Sequence, residues 1–313
     1  MKELTNKRDI FLERYNKIYD LDNWLNIAEV NKYSAFRINT TQYTITEFIS
    51  IIKTFAKESD FTIFDNIIFF ENSIREKITH KIPLDMGFIL NPSSFLPVLN
   101  LELSGRKKLL DMCAAPGIKS AQVEFIAHEI FADIEHTAVE MDQKRFFKMV
   151  VLLNNLLKNN PVKTINLDTR KLSNHDSFDT IMLDAPCSAE GELIQDKNYS
   201  RWSSKLINSY TNTQKALLAK AISLCRKDGQ IIYSTCTLAP EENEEVVDWA
   251  LKRFPIEVEE INIPEWGMFK PITKSGIPGW GIKTYDSRIE KTIRIVPNQI
   301  YEGFYLAKLR KID

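Results

Sequence analysis

The sequence predicts an α/β protein in which a smaller N-terminal α+β domain precedes a mostly parallel, doubly wound sheet. From about residue 85, apolar runs alternate with segments long enough to be helices, which is typical of a parallel sheet covered on both faces. Before that point, aromatic and β-branched runs at 61–64 and 67–70 stand beside an amphipathic stretch at 45–55, which indicates a small α+β unit. We therefore predict domains over 1–84 and 85–313.

The elements of the second domain follow from its apolar runs. The predicted strands are 107–111, 137–141, 162–166, 180–184 and 230–234. The segments 143–157 and 210–225 are predicted crossover helices. Ligands of such sheets bind outside the carboxyl ends of the strands, so the residues after each strand are candidates for the site.

The composition excludes several classes of protein. The chain has 313 residues, with 41 Lys and Arg against 42 Asp and Glu, so it is not a polycation, and a surface for polyanions must be a local patch. A hydrophobic fraction of 44% is ordinary for a globular protein. No run approaches the ~18 apolar residues that span a bilayer, and the first residues lack a signal peptide's apolar core. We expect a cytoplasmic protein that does not bind membranes.

The cysteines do not have metal-binding spacing. Cys113, Cys187, Cys225 and Cys236 form no CxxC pair, and the chain has only four histidines, so we expect no metal site. Isolated cysteines in a reducing compartment are either buried small hydrophobes or reactive thiols.

A loop of small residues follows the first predicted strand and runs from Asp111 to Ser120. It matches neither GxGxxG nor GxxxxGK[ST], and by itself it is compatible with an ordinary turn into a helix. However, acids also stand at the ends of the next three strands, at Glu140, Asp168 and Asp184. The acid at the end of the second strand is where this topology hydrogen-bonds a ribose, although an acid at a strand end is also often a helix cap. The combination favours a nucleoside pocket.

Two cysteines occupy equivalent places in the pattern. Cys187 follows the fourth predicted strand and Cys236 follows the fifth. A single cysteine at such a position would be interpreted as a small buried core residue. Two cysteines at the ends of neighbouring strands indicate a pair of thiols at the edge of the sheet where ligands bind. A helix opening near Pro240 would direct its positive end toward Cys236. We assign Cys225 to the core and Cys113 to the lining of the small-residue loop.

Three motifs, in this order, resemble those of the RNA cytosine-5 methyltransferases of the Sun, RsmB and RsmF type. They are Asp-Met-Cys-Ala-Ala-Pro-Gly-Ile-Lys at 111–119, Asp-Ala-Pro-Cys-Ser at 184–188 and Ser-Thr-Cys-Thr-Leu-Ala-Pro-Glu-Glu-Asn-Glu at 234–244. The resemblance covers most of 85–313 and implies a Rossmann-like class I methyltransferase domain.

The resemblance also implies roles for the site residues. S-adenosylmethionine would be contacted by the loop residues Cys113, Ala114, Ala115, Pro116, Gly117, Ile118 and Lys119. Glu140 would contact its ribose, Asp168 the adenine region and Asp184 the boundary between the cofactor and the target base. Cys236 would be the nucleophile, and Cys187 the second cysteine, which acts in product release. Asp184 and Lys119 would assist by stabilising the adduct between Cys236 and cytosine.

The implied partner is RNA. We expect ribosomal RNA because of the similarity to RsmF-like members, with transfer RNA as the alternative, and we expect a monomer. The segment Phe36 to Thr40 resembles the family's Arg-x-Asn-Thr segment in an RNA-facing N-terminal module, although the residues alone fit a plain amphipathic strand equally well.

Three positions depart from the family pattern. Ile118 stands where the family commonly has glycine or another small residue, Ala189 stands where glycine is common, and Thr237 stands where serine is usual. Either the backbone at Ile118 suits a β-branched residue or cofactor affinity is reduced.

Two other functions stay open at this stage. One is a non-catalytic RNA-binding assembly factor that retains the fold. The other is a methyltransferase acting on a different nucleophile, such as an exocyclic amine, with both cysteines structural.

Overall fold

The computed structural model describes residues 7–19, 32–173, 178–192 and 199–313. The first six residues of the predicted N-terminal domain, and residues 20–31 within it, lie outside the described part. None of the described helices is both long and apolar enough to cross a membrane.

The N-terminal part is built on a four-stranded antiparallel sheet. Its elements are α1 (Lys7–Asn16), β1 (Tyr33–Ile38), α2 (Ile45–Ile52), β2 (Phe61–Phe64), β3 (Ile67–Glu71), α3 (Arg75–Lys81) and β4 (Gly87–Leu90). The strand order is β2-β3-β1-β4. Of the aromatic and β-branched residues that predicted the strands, Ile68 and Phe70 pack with α2, whereas Ile67 and Phe69 pack with residues of the second part of the chain. The predicted boundary at residue 84 stays a prediction, and this sheet takes its last strand from beyond it.

The segment at 36–40 joins the two parts of the chain. Arg37 is 3% exposed and donates to Glu129 at 2.7 Å, and Asn39 is fully buried and donates to the carbonyl of Leu156 at 2.6 Å. These two side chains face the second domain and are not available to RNA. The RNA-binding role of the N-terminal part itself stays a prediction.

The second part is a nine-stranded mixed sheet with helices on both faces. Its strands are β5 (Lys108–Asp111), β6 (Glu135–Glu140), β7 (Lys163–Asn166), β8 (Phe178–Asp184), β9 (Cys225–Thr235), β10 (Ile256–Glu259), β11 (Thr273–Ser275), β14 (Ile293–Ile295) and β15 (Phe304–Lys311). A two-stranded ribbon pairs β12 (Gly279–Trp280) with β13 (Lys283–Thr284). The helices are α4 (Leu96–Leu99), α5 (Ile118–Glu129), α6 (Gln143–Leu156), α7 (Ser204–Leu224) and α8 (Glu244–Leu251). Short 3₁₀ helices span Glu58–Asp60, Asn72–Ile74, Pro92–Phe95, Thr169–Lys171, Gly267–Phe269 and Ser287–Lys291.

The order of this sheet is β11-β14-β15-β9-β8-β5-β6-β7, with β10 also paired to β15. The pairs from β9 through β7 are parallel, and β15 adds to β9 in the antiparallel sense. The predicted doubly wound α/β fold is confirmed. Because the chain leaves β5 in one direction and returns to β8 on its other side, the strand order reverses between β5 and β8, where such sheets bind ligands.

Two predicted boundaries were wrong. Helix α7 begins at Ser204 rather than at residue 210, because the side chain of Ser203 caps it by accepting from Leu206 N. Strand β9 begins at Cys225 rather than at 230, with a polar and exposed stretch at its start.

Candidate active site

The loop after β5 turns tightly into α5. Gly117 takes a φ of 102° before the first helical residue, Ile118, and a Cβ on Gly117 would lie 3.0 Å from Cγ of Met149. Because glycine carries the positive φ, a β-branched residue at 118 meets no backbone strain. The first of the two explanations left open for Ile118 therefore holds.

A cavity of about 150 Å³ lies beside this loop. Its lining residues are Leu90, Ser94, Asp111, Cys113, Ala114, Ala115, Pro116, Ile118, Lys119 and Asp184. Most of the loop residues expected from the sequence are among them. Leu90 and Ser94 were missed as site residues, because they come from the segment that introduces the second domain and carry no motif of their own.

The acids after the strands have different surroundings. Asp111 is buried and accepts from Ser120 Oγ at 2.7 Å through one oxygen, while its Oδ1 has no hydrogen-bond partner among the described residues. Burial raises the pKa of Asp111 to about 6. Glu140 is also buried and accepts from the backbone N of Asp142 at 2.9 Å.

Asp168 is held apart from the cavity. Its carboxylate is paired with Arg170 at 2.7 Å and caps a 3₁₀ turn, and the hydrogen bond from Arg170 lowers its pKa. Neither Asp168 nor Glu140 belongs to the cavity lining. Their expected contacts with the cofactor stay predictions.

Among the described residues, carboxylates outnumber the single ammonium group, Lys119, in and around the cavity. The pKa of the Cys113 thiol is raised far above its usual range by burial first and then by the charges of Asp111, Glu140 and Asp184. A thiol here stays protonated at neutral pH. The same charges favour a positively charged ligand.

Lys119 and Asp184 form the side of the cavity nearest to β9. Lys119 Nζ donates to Asp184 Oδ2 at 2.7 Å, and Ser234 Oγ donates to Asp184 Oδ1, also at 2.7 Å. Burial alone would lower the pKa of Lys119, but the Asp184 carboxylate raises it, so the lysine is a fixed positive charge. Asp184 and Ser234 are partners in the parallel register of β8 and β9, which is why they meet.

The two thiols predicted for neighbouring strand ends are in contact. Cys187 Sγ lies 3.2 Å from Cys236 Sγ, and both cysteines are free and partly exposed. The pKa of Cys236 is raised well above its usual range, first by the hydrogen bond with Cys187 and then by burial. The expected help from a helix near Pro240 was wrong, since α8 begins only at Glu244 and the thiol is not acidified.

Ala189, in the loop that carries Cys187, has a φ of 54°. An alanine in this region costs about 1 kcal/mol relative to its preferred conformations, and glycine avoids that cost. We expect Ala189→Gly to raise the free energy of unfolding by about 0.5–1 kcal/mol in urea titrations. The control is Ala127→Gly in α5, which should lower it by about 1 kcal/mol. A loss of stability in both variants would contradict the assignment of strain to Ala189.

The doubly wound sheet, the acidic cavity at its switch point and the motif loops define a class I methyltransferase. The family described as 16S rRNA methyltransferase RsmB/F matches residues 98–310 of the chain. This chain belongs to the RsmB/F methyltransferase family, and the resemblance drawn from the three motifs is confirmed.

Individual relatives match over most of the chain. A protein named tRNA (cytosine(49)-C(5))-methyltransferase from Pyrococcus abyssi is 28% identical, over 96% of this chain and 95% of its own length. Ribosomal RNA small subunit methyltransferase F from Shewanella piezotolerans is 27% identical over 94% of this chain, which spans 62% of that longer protein.

Solved structures share the fold. The structure of NSun6 from Pyrococcus horikoshii with SFG superposes with a TM-score of 0.75 at 20% identity, covering 99% of this chain and 98% of that one. A methyltransferase homologue from the same organism gives a TM-score of 0.74 at 23% identity, covering 97% and 95%.

Proposed function

We propose that this protein transfers a methyl group from S-adenosylmethionine to carbon 5 of a cytosine in RNA through a covalent adduct with Cys236. The observation that carries the proposal is the contact between two free thiols, 3.2 Å apart, beside the Lys119–Asp184 pair and the acidic cavity. Methyl transfer to an exocyclic amine needs neither thiol, whereas carbon 5 needs a nucleophile at carbon 6.

The residues of the cavity fit the proposed cofactor. Asp111 Oδ1 is a buried acceptor without a partner in the described part of the chain, and Glu140 is an acid at the strand end where a ribose is bound in this topology. The small side chains of Ala114 and Ala115 permit close approach to the backbone. When bound, S-adenosylmethionine supplies a methyl group on a positively charged sulfonium, which the surrounding carboxylates favour.

The chemistry assigned to the chain begins at Cys236. Its Sγ loses the thiol proton and bonds to carbon 6 of cytosine, while the displaced ring electrons are balanced by uptake of a proton at N3, which leaves carbon 5 nucleophilic. Asp184 hydrogen-bonds the edge of the ring, and Lys119 holds that carboxylate in place. After carbon 5 has been methylated, a base removes its proton and the bond between sulfur and carbon 6 breaks, which restores the aromatic ring. Cys187, at 3.2 Å from the nucleophile, is positioned to assist this release.

The substrate class follows from access to the thiol. A sulfur can reach the face of a cytosine only if the base leaves its stack, so single-stranded or locally opened RNA is the expected substrate. Ribosomal RNA is our first candidate because the matching family is described by it. Transfer RNA is the second, because the Pyrococcus abyssi relative matches over nearly its whole length. The cytoplasmic location and the monomeric state stay predictions.

The test uses purified protein, methyl-labelled S-adenosylmethionine and two RNA pools that lack the modification, one ribosomal and one transfer RNA. Label on carbon 5 of a mapped cytosine is the expected result, and the pool that carries it identifies the substrate. Label on an exocyclic amine would overturn the carbon-5 assignment. If the protein crosslinks to RNA but transfers no label from bound cofactor to either pool, the non-catalytic assembly factor is favoured.

Asp184→Ala is expected to lower kcat by about 100-fold or more, because an acceptor held in place by Lys119 and Ser234 at the reacting ring is lost. The measurement is methyl transfer under saturating cofactor, together with adduct trapping on denaturing gels. Cofactor affinity should fall much less than kcat, because Asp111 and the small-residue loop are intact. Unchanged turnover would contradict a catalytic role for Asp184.

A further inference from the structure

A chain of four buried polar side chains lies beneath the two cysteine loops. Ser188 follows Cys187 and Thr237 follows Cys236. Ser188 Oγ is 2.5 Å from Oε1 of Glu242 and 2.8 Å from Oγ1 of Thr237, which is 3.0 Å from Oε2 of Glu190. Both glutamates are fully buried, so these groups must satisfy one another.

The hydrogens in this chain can be counted. Three oxygen–oxygen contacts of 3.0 Å or less each need a hydrogen, but the hydroxyls of Ser188 and Thr237 provide only two. With both carboxylates ionised, one contact would bring two lone pairs together. We propose that Glu242 is a neutral carboxylic acid whose proton completes the chain and ties the Cys187 loop to the Cys236 loop.

The hydrogen bonds around the two carboxyl groups place the proton on Glu242. Its Oε2 accepts two N–H groups, from Ser188 N at 3.0 Å and Gln214 Nε2 at 2.8 Å, which leaves Oε1 for the hydrogen that is donated to Ser188. Glu190 instead accepts at both oxygens.

Burial raises the pKa of Glu190 as well, but the hydrogen bonds that this carboxylate accepts and the charge of Arg14 oppose that effect, and we assign the negative charge of the cluster to Glu190. It accepts from Trp202 Nε1 and from the hydroxyl of Tyr15, each at 2.6 Å, besides Thr237. The donation therefore runs from Glu242 to Ser188, then to Thr237 and to the Glu190 carboxylate. Burial raises the pKa of Glu242 to about 7, which agrees with this assignment.

No charged or titratable group described around Glu242 supplies a positive charge that would neutralise its carboxylate in place of a proton. Tyr210 of α7 is near it, and Tyr233 of β9 donates to its backbone carbonyl at 2.6 Å. Arg14 of α1 forms its ion pair with the neighbouring Glu241. Within the described ranges, no basic side chain is at ion-pair distance from Glu190 or Glu242, so burying the cluster depends on keeping one carboxyl neutral.

The consequence for catalysis rests on the proposed function. Glu242 touches neither thiol and is a positioning residue that keeps Cys187 and Cys236 in contact. If only the form with neutral Glu242 is active, wild-type kcat is limited above pH about 7. Glu242→Gln supplies an amide N–H in place of the carboxyl proton, so the ratio of variant to wild-type kcat should grow toward tenfold per pH unit above that value.

Stability provides a readout that needs no activity. The folded pKa of Glu242, about 7, exceeds the ordinary value of 4.5, so the folded state binds more protons between these values. The contribution of Glu242 to wild-type stability should therefore fall as the pH rises from about 4.5 to about 7. The unfolding midpoint of Glu242→Gln should rise relative to that of wild type over the same pH range.

Glu245→Gln is the matched control from the same helical region. Despite partial burial, hydrogen bonds from Lys283 and Lys215 lower the pKa of Glu245, so its stabilising effect is present at neutral pH and lost on acidification. Relative to wild type, this variant should lose stability as the pH rises only below about 4.5, and the difference should stay constant between about 4.5 and about 7, where Glu242→Gln gains stability.

The decisive measurement is an infrared titration of the full chain. All variants should show the carbonyl band of protonated Asp111, whose pKa is about 6. We expect a second carboxylic acid band that titrates near pH 7, is absent in Glu242→Gln and persists in Glu245→Gln. Thr237→Val removes two of the three contacts and one hydroxyl hydrogen, so the Ser188 hydroxyl is free to donate to an ionised Glu242. The titration should therefore shift to lower pH, which provides a second test if the glutamine variant does not fold. Absence of the second band in wild type, or its persistence in Glu242→Gln, overturns the proposal. If wild type fails to methylate RNA, the function is wrong and the infrared result still decides this inference.

Discussion

Cys236→Ala is expected to abolish cytosine methylation, with a loss of roughly 10⁴-fold or more in kcat, because the variant cannot form the bond to carbon 6. Cofactor binding should be retained, since Cys236 is not part of the cavity lining. The measurement is transfer of labelled methyl to carbon 5, combined with trapping of the protein–RNA adduct. Residual label at a substantial rate would exclude the covalent mechanism.

Cys187→Ala separates the two thiols by their roles. We expect this variant to accumulate the adduct, because Cys236 can still attack whereas the step that breaks the sulfur–carbon bond is slowed. The matched control is Cys225→Ala, which removes a buried thiol from the core cluster and leaves the site intact. If Cys187→Ala releases product as fast as wild type, or Cys225→Ala blocks transfer, the assigned roles are wrong.

The pKa of the Cys236 thiol also bears on the roles of the two cysteines. The Cys236 thiol is protonated in the free protein, since its hydrogen bond with Cys187 and its burial raise its pKa well above the ordinary value. Cys187 therefore does not activate the nucleophile by lowering its pKa in the free state. The thiol proton of Cys236 must therefore leave when the substrate enters. The contact between Cys187 and Cys236 describes the state before attack, in which Cys236 is still a thiol.

The sheet was predictable because a parallel strand buried on both faces is an uninterrupted apolar run. The start of β9 was not, since Arg226 to Asp228 are polar and exposed and only pairing of Cys225 with Phe178 makes them part of the strand. The burial of Arg37 could not be predicted from the sequence either. An alternation of apolar and polar residues is equally compatible with an exposed arginine, and Glu129, the ion-pair partner of Arg37, lies far away in the sequence.

The site was predictable as far as each strand end carries its own motif. The neighbouring positions of Cys187 and Cys236 follow from strand order, but the contact between Asp184 and Ser234 depends on the register of β8 against β9. The sequence also gives no sign that the acids at 190, 242 and 244 are buried. A run of acids near a helix start is usually a solvated cap, and only the packed structure shows otherwise.

Glu244→Ala is expected to be the most destabilising of the substitutions considered, because it leaves the charge of Arg294 buried without a carboxylate. Both side chains are fully buried, and Arg294 donates to Glu244 through Nε at 2.5 Å and through Nη2. Breaking such a pair costs about 3–5 kcal/mol, a large part of a typical stability of about 5–15 kcal/mol. Chemical denaturation monitored by circular dichroism measures the loss.

The ion pair of Arg294 and Glu244 also contacts the loop that carries Cys236. Arg294 donates to the carbonyl of Leu238 and to the hydroxyl of Tyr19, both at 2.8 Å, so it fixes the chain just beyond Cys236. The double variant Glu244→Leu with Arg294→Met should recover much of the lost stability, because it removes both charges together. Glu58→Ala, which breaks the exposed pair with Lys53, is the control and should not shift the midpoint measurably. If Glu244→Ala is as stable as that control, or if the double variant is less stable than Glu244→Ala, then the cost does not come from an uncompensated buried charge.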